Sequence, residues 1–282
     1  MVPFVKMHGN GNDFIVLDNR GAVFSSGELS ALAIRACRRR QSLGADGILV
    51  LETSSLADYR MRLFNADGSE GEMCGNGARC IARYAFEKGI SGQSQSFETL
   101  AGIMKARVDS SFVTLHMGRV DLVQGWLNRI LSIGGRGTPS SFLVVGVPHA
   151  VLFPEGELAR EEMILYGREL RNNRELFPAG ANVNFVVPEG EGRIRCVTYE
   201  RGVEDLTDSC GTGSTAAAAA WVLRNGAIPA SAVVDVVNPG GVNTVSLLFD
   251  GKGASAVASL RGRTVIVAEG RLTDEAEPAA MV

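Results

Sequence analysis

One short sequence occurs twice in this chain and constrains its fold more than any other feature. Cys74-Gly-Asn-Gly-Ala-Arg-Cys-Ile-Ala82 is matched by Cys210-Gly-Thr-Gly-Ser-Thr-Ala-Ala-Ala218, 136 positions later. Each copy opens a helical pattern of about four turns at a rise of ~1.5 Å per residue. The match extends upstream, with Asn65 nine residues before the first Cys and Arg201 nine before the second. Each follows the last residues of a strand pattern, Leu63-Phe64 and Tyr199-Glu200. Both copies therefore read strand, long acidic loop, Cys-Gly-x-Gly, helix, as expected of two homologous half-molecules facing each other. The division expected is 1–118 for the first half and 119–263 for the second, with 264–282 packing back onto the first.

The remaining pattern fits an α+β chain. Thirty-four glycines punctuate short β-branched runs. Phe14–Leu17, Gly47–Leu51, Tyr59–Phe64, Arg107–Val108 and Phe112–His116 read as strands of the first half. Ser141–Val147, Ala181–Val187, Arg193–Glu200, Ala232–Val237, Thr244–Phe249 and Thr264–Val267 read as strands of the second. Helical pattern covers Gly27–Arg39, Gly75–Lys88, Leu158–Arg171 and Gly211–Arg224. Most strands follow one another through short turns, which argues against an alternating parallel α/β chain. Asp274–Val282 reads as a frayed tail.

Composition narrows the function classes. A formal net charge of −3 and no dense Lys/Arg run argue against a nucleic-acid partner. The one basic cluster, Arg38-Arg39-Arg40, reads as the charged C-terminal end of a helix. No signal-peptide pattern or membrane-length apolar run is seen, so the expected location is the cytoplasm. Five cysteines without CxxC spacing make a disulfide framework or structural zinc an unexpected outcome. Gly9-Asn-Gly11 lacks the third glycine of a dinucleotide fingerprint. No metal and no cofactor are expected.

Two of the cysteines stand where chemistry is favoured. A cysteine at a helix start lies beside unpaired backbone N–H groups and the positive end of the helix dipole. The thiolate is favoured there relative to a thiol of ordinary pKa ~8.5. Gly75, Gly77, Gly211 and Gly213 remove Cβ atoms, letting a substrate carboxylate approach the first-turn amides. Two such turns suit inversion at an α-carbon, where one thiolate takes the proton and the opposite thiol returns one. The developing negative charge is held by donors aimed at the carboxylate. A single cysteine in a glycine-rich turn is more often structural; its repetition in both halves points to chemistry. Cys37, Cys80 and Cys196 fall within helix and strand patterns and read as core.

At these residues the sequence resembles the diaminopimelate epimerase family. The resemblance rests on Lys6-Met-His-Gly-Asn-Gly-Asn-Asp-Phe14, Phe64-Asn-Ala-Asp-Gly-Ser-Glu-Gly-Glu-Met-Cys-Gly-Asn-Gly77, Asn182-Val-Asn-Phe185, Glu200-Arg-Gly-Val203 and Cys210-Gly-Thr-Gly213. It implies two pseudo-symmetric α/β domains, each a curved, mostly antiparallel sheet around a central helix, with the active site in the cleft between them. It implies a cofactor-independent isomerase interconverting LL- and meso-2,6-diaminopimelate for lysine and peptidoglycan precursor synthesis. Cys74 and Cys210 would be its acid and base. The amides of Gly75-Asn76 and Gly211-Thr212 would hold the reacting carboxylate, with Asn12 near the reacting centre. Asn65, Asn182 and Arg201 would hold the distal carboxylate, and Glu200 the distal ammonium. A guanidinium fork suits a planar carboxylate because it offers two parallel hydrogen bonds.

Other readings stay open on the residues alone. Asn12 and Asn65 fit turn positions, Glu200-Arg201 fits a solvated surface pair, and His8 fits a turn hydrogen-bonder. His149 follows Pro148 in a turn that resembles the family's Asn-Pro-His, and is expected to border the site without acting as base. Two departures bear on the substrate: Val147 replaces a usual Asn, and Asp208 replaces an apolar residue two before the second thiol. A related racemase of histidine- or proline-type substrates would keep both thiols without needing the Asn65/Asn182/Arg201/Glu200 clamp. A non-catalytic binding module would not need two intact Cys-Gly-x-Gly turns, and the cysteines of a thiol redox protein would normally be close in sequence, not 136 positions apart. The expected partner is a small amino acid rather than a nucleic acid or membrane. The oligomeric state stays open, a homodimer being one option.

Overall fold

The computed structural model describes residues 1–251 and 253–273; the tail 274–282, expected to be frayed, lies outside the described residues. The chain divides into two compact units, Met1–Leu115 together with the segment from Gly262 onward, and His116–Arg261.

The first unit begins with β1 (Val2–Gly9) and β2 (Asn12–Asp18), then α1 (Ser26–Ala36), β3 (Gly47–Glu52), β4 (Tyr59–Asn65) and the short β5 (Glu70–Gly71). There follow α2 (Gly75–Glu87), β6 (Ser94–Thr99), β7 (Gly102–Asp109) and the start of a long strand, β8 (Phe112–Ile133). β1 and β2 are joined by Asn10-Gly11, both at positive φ (50° and 86°), a turn whose twist matches the strands it connects. Strand pairing then alternates: β1–β2 antiparallel, β2–β3 parallel, β3–β4 antiparallel, β4–β6 parallel and β6–β7 antiparallel. α2 packs against β1, β2 and β7. α1 covers a separate apolar cluster, in which Leu29, Leu32 and Ala33 meet Ile15, Ile48 and Phe64. Ser25 and Glu28 cap α1 reciprocally, Glu28 N–H donating to Ser25 Oγ and Ser25 N–H to the Glu28 carboxylate.

The second unit runs from β8 through β9 (Arg136–Val145), β10 (Val147–Leu152), α3 (Arg160–Arg171), β11 (Asn182–Gly190), β12 (Arg193–Glu200) and β13 (Asp205–Thr207). It continues with α4 (Gly211–Leu223), β14 (Ser231–Asn238), β15 (Gly241–Phe249) and the first part of β16 (Ser255–Leu272). The pairs β9–β10, β10–β11, β11–β12, β12–β14 and β14–β15 repeat the same antiparallel/parallel alternation. The internal repeat is thus a repeat of strand direction and helix placement as well as of sequence. The fold is a sheet-dominated α+β arrangement built twice. β16 ends in the first unit, where residues from Thr264 to Leu272 pair antiparallel with β1.

α4 is enclosed on nearly every side. Ala216 to Ala220 are all fully buried, and the helix meets β9, β10, β11, β12, β14 and β15. Alanine serves here twice, as the strongest helix former and as a side chain small enough for strands to surround.

Several elements differ from the sequence expectation. β1 and β6 were not read as strands, and Ser141–Val147 is two strands, divided where Gly146 takes a φ of 68° and lets β10 fold back on β9. α1 ends at Ala36 with Cys37 as its C-cap. Arg38-Arg39-Arg40 therefore lies beyond the helix, Arg40 at a φ of 72°, and Arg39 is spent on Asp13 and Asp46 at 2.6 and 2.9 Å.

α3 reaches the sheet through Gly167, where a Cβ would fall 2.6 Å from Cβ and Cγ of Tyr199. Gly167→Ala gains ~1 kcal/mol of helix propensity, but overpacking costs about 1–3 kcal/mol. The expected outcome is a lower urea midpoint, against the usual effect of alanine in a helix; an equal or higher midpoint would show that Tyr199 moves aside without loss.

Candidate active site

In the first unit, Cys74 is the N-cap of α2, with extended backbone (φ −133°, ψ 123°) and a half-buried side chain. Its thiol donates to Asn12 Oδ1 at 3.3 Å, and Asn76 Nδ2 reaches the same oxygen at 3.4 Å. Asn12 is held in this orientation from behind, because its Nδ2 donates to Asp46 Oδ2 at 2.6 Å. Three of the expected residues, Asn12, Cys74 and Asn76, thus converge on one amide oxygen. Asn65 stands apart from them as an exposed turn residue at the end of β4, its Nδ2 donating to Ser69 Oγ at 3.0 Å.

In the second unit, Cys210 is the N-cap of α4 and is buried, with 5% exposed. Gly213 N–H donates to its Sγ at 3.4 Å, and Thr212 Oγ1 lies 3.5 Å away. These are the interactions expected at a helix start, yet they do not decide the protonation state. Burial, and after it the Glu200 carboxyl, push the Cys210 thiol well up, outweighing Thr212 and the Gly213 amide. The helix start favours the thiolate, and burial here works against it. Glu200 is itself half-buried, and burial raises its carboxyl against the Thr207 hydroxyl. Asn182 and Arg201 come together: Arg201 N–H donates to Asn182 Oδ1 at 2.8 Å, while Arg201 Nη1 donates to Ala179 O at 3.1 Å.

The glycines after each thiol divide into two kinds. A Cβ at Gly75 would meet nothing within 4 Å, and one at Gly211 only Leu260 Cδ1 at 3.7 Å. A Cβ at Gly77 would lie 3.0 Å from Leu49 Cδ2, and at Gly213 2.5 Å from Asn184 Oδ1. The first glycine of each pair leaves the helix start open; the second lets the helix press onto its sheet. The expectation that all four serve ligand approach is corrected for Gly77 and Gly213.

Sequence reasoning missed the residues behind the site. Asn184 joins His149, Ala150 O and Thr198 beneath the start of α4, at 3.2, 2.9 and 2.9 Å. Its place within Asn182-Val-Asn-Phe185, one strand face from Asn182, was the available signal. Asp46 carries no signal, since its partner Asn12 lies 34 residues away. His8 accepts from Gly11 N–H at 3.3 Å, as a turn residue does. Asp208 is exposed and Val147 half-buried. None of the five cysteines is disulfide-bonded. Among the described residues, no group of three or more His, Cys, Asp or Glu is placed to hold a metal, and no helix is long and apolar enough to cross a membrane.

The sequence profile of the family described as Diaminopimelate epimerase matches residues 4–123 and 141–267. The diaminopimelate epimerase of Methanothrix thermoacetophila is 40% identical over 282 residues, covering 96% of each chain. That of Aquifex aeolicus is 37% identical over 285 residues, covering 96% of this chain and 98% of its own. Among solved structures, a hydroxyproline epimerase from Agrobacterium vitis superposes with a TM-score of 0.69 at 18% identity, over 96% of this chain and 90% of that one. At that identity the likeness is one of fold.

His149 is fully buried, and burial, helped by the Arg201 charge and opposed by Asn184, lowers its pKa to about 3. An unfolded histidine titrates near ~6.5, so the unfolded chain takes up a proton first. The stability carried by neutral His149 is present above that value and is lost as pH falls towards the folded pKa. A slope of about 1.4 kcal/mol per pH unit is expected between pH 6 and pH 5. Urea unfolding at the two pH values checks it, and His149→Gln should flatten the slope; an unchanged slope would assign it to other groups.

Proposed function

The chain belongs to the diaminopimelate epimerase family, and on that premise we propose that it interconverts LL- and meso-2,6-diaminopimelate by proton transfer between Cys74 and Cys210. The observation that carries the reading is the doubled helix start, each with a thiol at its N-cap and an open glycine directly after it. One thiolate removes the α-proton, and the other thiol delivers a proton to the opposite face of the same carbon. The α-carboxylate takes on enediolate character as the C–H bond breaks. The amides of Gly75-Asn76 and Gly211-Thr212 bear that charge, with no electron sink required from a cofactor. The two thiols exchange protonation states when the reaction runs backwards.

Substrate choice in this reading rests on the far end of the molecule. Arg201 donates its backbone N–H to Asn182 Oδ1, which holds the two residues side by side. With Asn65, they would bind the distal carboxylate, and the Glu200 carboxylate the distal ammonium. The product would enter lysine and peptidoglycan precursor synthesis in the cytoplasm.

The test uses enzyme dialysed against chelator and hydroxylamine, then supplied with LL-diaminopimelate in deuterated solvent. Cys74→Ala and Cys210→Ala are each expected to abolish inversion in both directions. The wild type should label the inverted product first, with little early label in recovered substrate. A Cys210→Ala chain inverting at near the wild-type rate would remove the two-thiol mechanism. Preferential turnover of free histidine or proline would keep the mechanism and change the substrate.

Arg201→Lys tests the clamp separately. A point charge does not reproduce a bidentate fork, and one lost charge-assisted bond costs roughly 1.5–3 kcal/mol. A fall in kcat/KM for diaminopimelate of about ten- to a hundredfold is expected; an unaffected variant would remove Arg201 from substrate recognition.

A further inference from the structure

Arg79 is the largest fully buried side chain among the described residues, and no carboxylate there pairs with it. Its Nη2 donates to Asn76 Oδ1 at 2.6 Å, while Nε and Nη1 are buried without an acceptor. β1 passes close by: a Cβ on Gly9 would lie 3.1 Å from Asn76 O and 3.4 Å from Arg79 Nη2. A guanidinium so placed stays charged, and an uncompensated buried charge is costly.

The fold does not require it. The second unit places Thr215 at the matching position, fully buried and bonded to Gly211 O at 3.0 Å. The same helix start is therefore built without a cation, and the reason for Arg79 lies in something particular to the first unit.

The neighbouring charges identify that reason. Burial lowers the pKa of Arg79, and the groups that act against this are Cys80 and Cys74. Cys80 is fully buried and its thiol is pushed up to about 12, so it is neutral near pH 7. Cys74, the other, is half-buried at the start of the helix. On the strands packed against α2, Lys6 is paired with Asp13, Asp18 with Arg20, and Arg62 with Glu52 and Glu70. His8 bonds its own turn, Tyr59 hydroxyl donates to Gln95, and Arg60 is half-buried at the far end of β4. Lys105, Arg107 and Asp109 on β7 are exposed, and Arg83 on α2 itself pairs with Glu87.

We propose that Arg79 is the positioning residue of the first thiol: its guanidinium, locked to Asn76, is the buried positive charge that favours the Cys74 thiolate once the proton leaves the sulfur. Asn76 and Cys74 share Asn12 Oδ1, so the same contact that fixes the cation also fixes the amides and side chain around the sulfur. This rests on the proposed role of Cys74 and adds the charge that prepares it.

The test is the pH dependence of iodoacetamide alkylation at Cys74, read by peptide mass spectrometry on native protein, with thermal unfolding and the kcat/KM pH profile measured alongside. Arg79→Met removes charge and hydrogen bond; Arg79→Gln removes the charge but keeps a donor for Asn76. In both variants the alkylation midpoint is expected to rise by at least about one pH unit, which lowers the rate at a pH below the midpoint roughly tenfold. The rising limb of kcat/KM should move the same way. Tm should be retained, since replacing a buried charge by neutral groups of similar volume is often neutral or stabilising. An unmoved Cys74 profile in folded variants overturns the proposal, as does loss of cooperative unfolding in both, which would make Arg79 a residue of the fold alone. A Cys74→Ala chain that still epimerises would instead remove the functional reading, and the alkylation result would stand or fall independently.

Discussion

Gly213 and Asn184 come so close that one added carbon would lie 2.5 Å from the amide oxygen, and Gly77 presses on Leu49 in the same way. That contact between the first turn of a central helix and the strand beneath it governs the rest of each unit. It demands glycine at the third residue of the turn and small side chains along α4. It leaves the N-cap, three residues before that glycine, free to carry a functional side chain. In both units that residue is cysteine, held extended at the end of a buried helix rather than in a mobile loop.

On this shared backbone the electrostatics differ. Cys74 has an amide oxygen as acceptor and Arg79 nearby; Cys210 has a hydroxyl, a backbone donor and Glu200. The pairing directions repeat from β1–β7 to β9–β15, whereas the charged positions do not. Arg79 is answered by Thr215, and Glu200 by Phe64, each at the same offset from its cysteine. Duplicated topology gives two helix starts of like geometry, and a few side chains make them chemically unlike.

Much of this was legible from residue order. The strands from β2 to β4, β11, β12, β14 and β15 and all four helices follow hydrophobic period and helix-start chemistry, which are local properties. β1 was missed because Pro3, Lys6 and His8 interrupt its pattern, and its strand character comes from pairing with β2 and β16. The break at Gly146 was missed because the apolar run continues through it. At the site, the repeat singled out both cysteines and the resemblance supplied Asn12 and Asn76. The supports behind them could not be read, because Asp46 reaches Asn12 and Asn184 reaches His149 only after strands 34 and 35 residues apart are side by side. A helix start is visible in sequence, but the burial that raises the Cys210 thiol against it is a tertiary property.

The return of β16 to β1 has a bearing on how the chain comes to be folded. Val2 pairs with Leu272, Leu272 sits in the cluster beneath α1, and Thr264 donates to Ser111 O through both its backbone and its hydroxyl. The first unit is therefore assembled from segments more than 140 positions apart, Met1–Leu115 and the stretch from Gly262 onward. Contacts of such sequence separation form slowly, and during synthesis β1 must wait for β16. The second unit is continuous in sequence and is expected to form first, so that the order of synthesis and the order of completion run opposite ways.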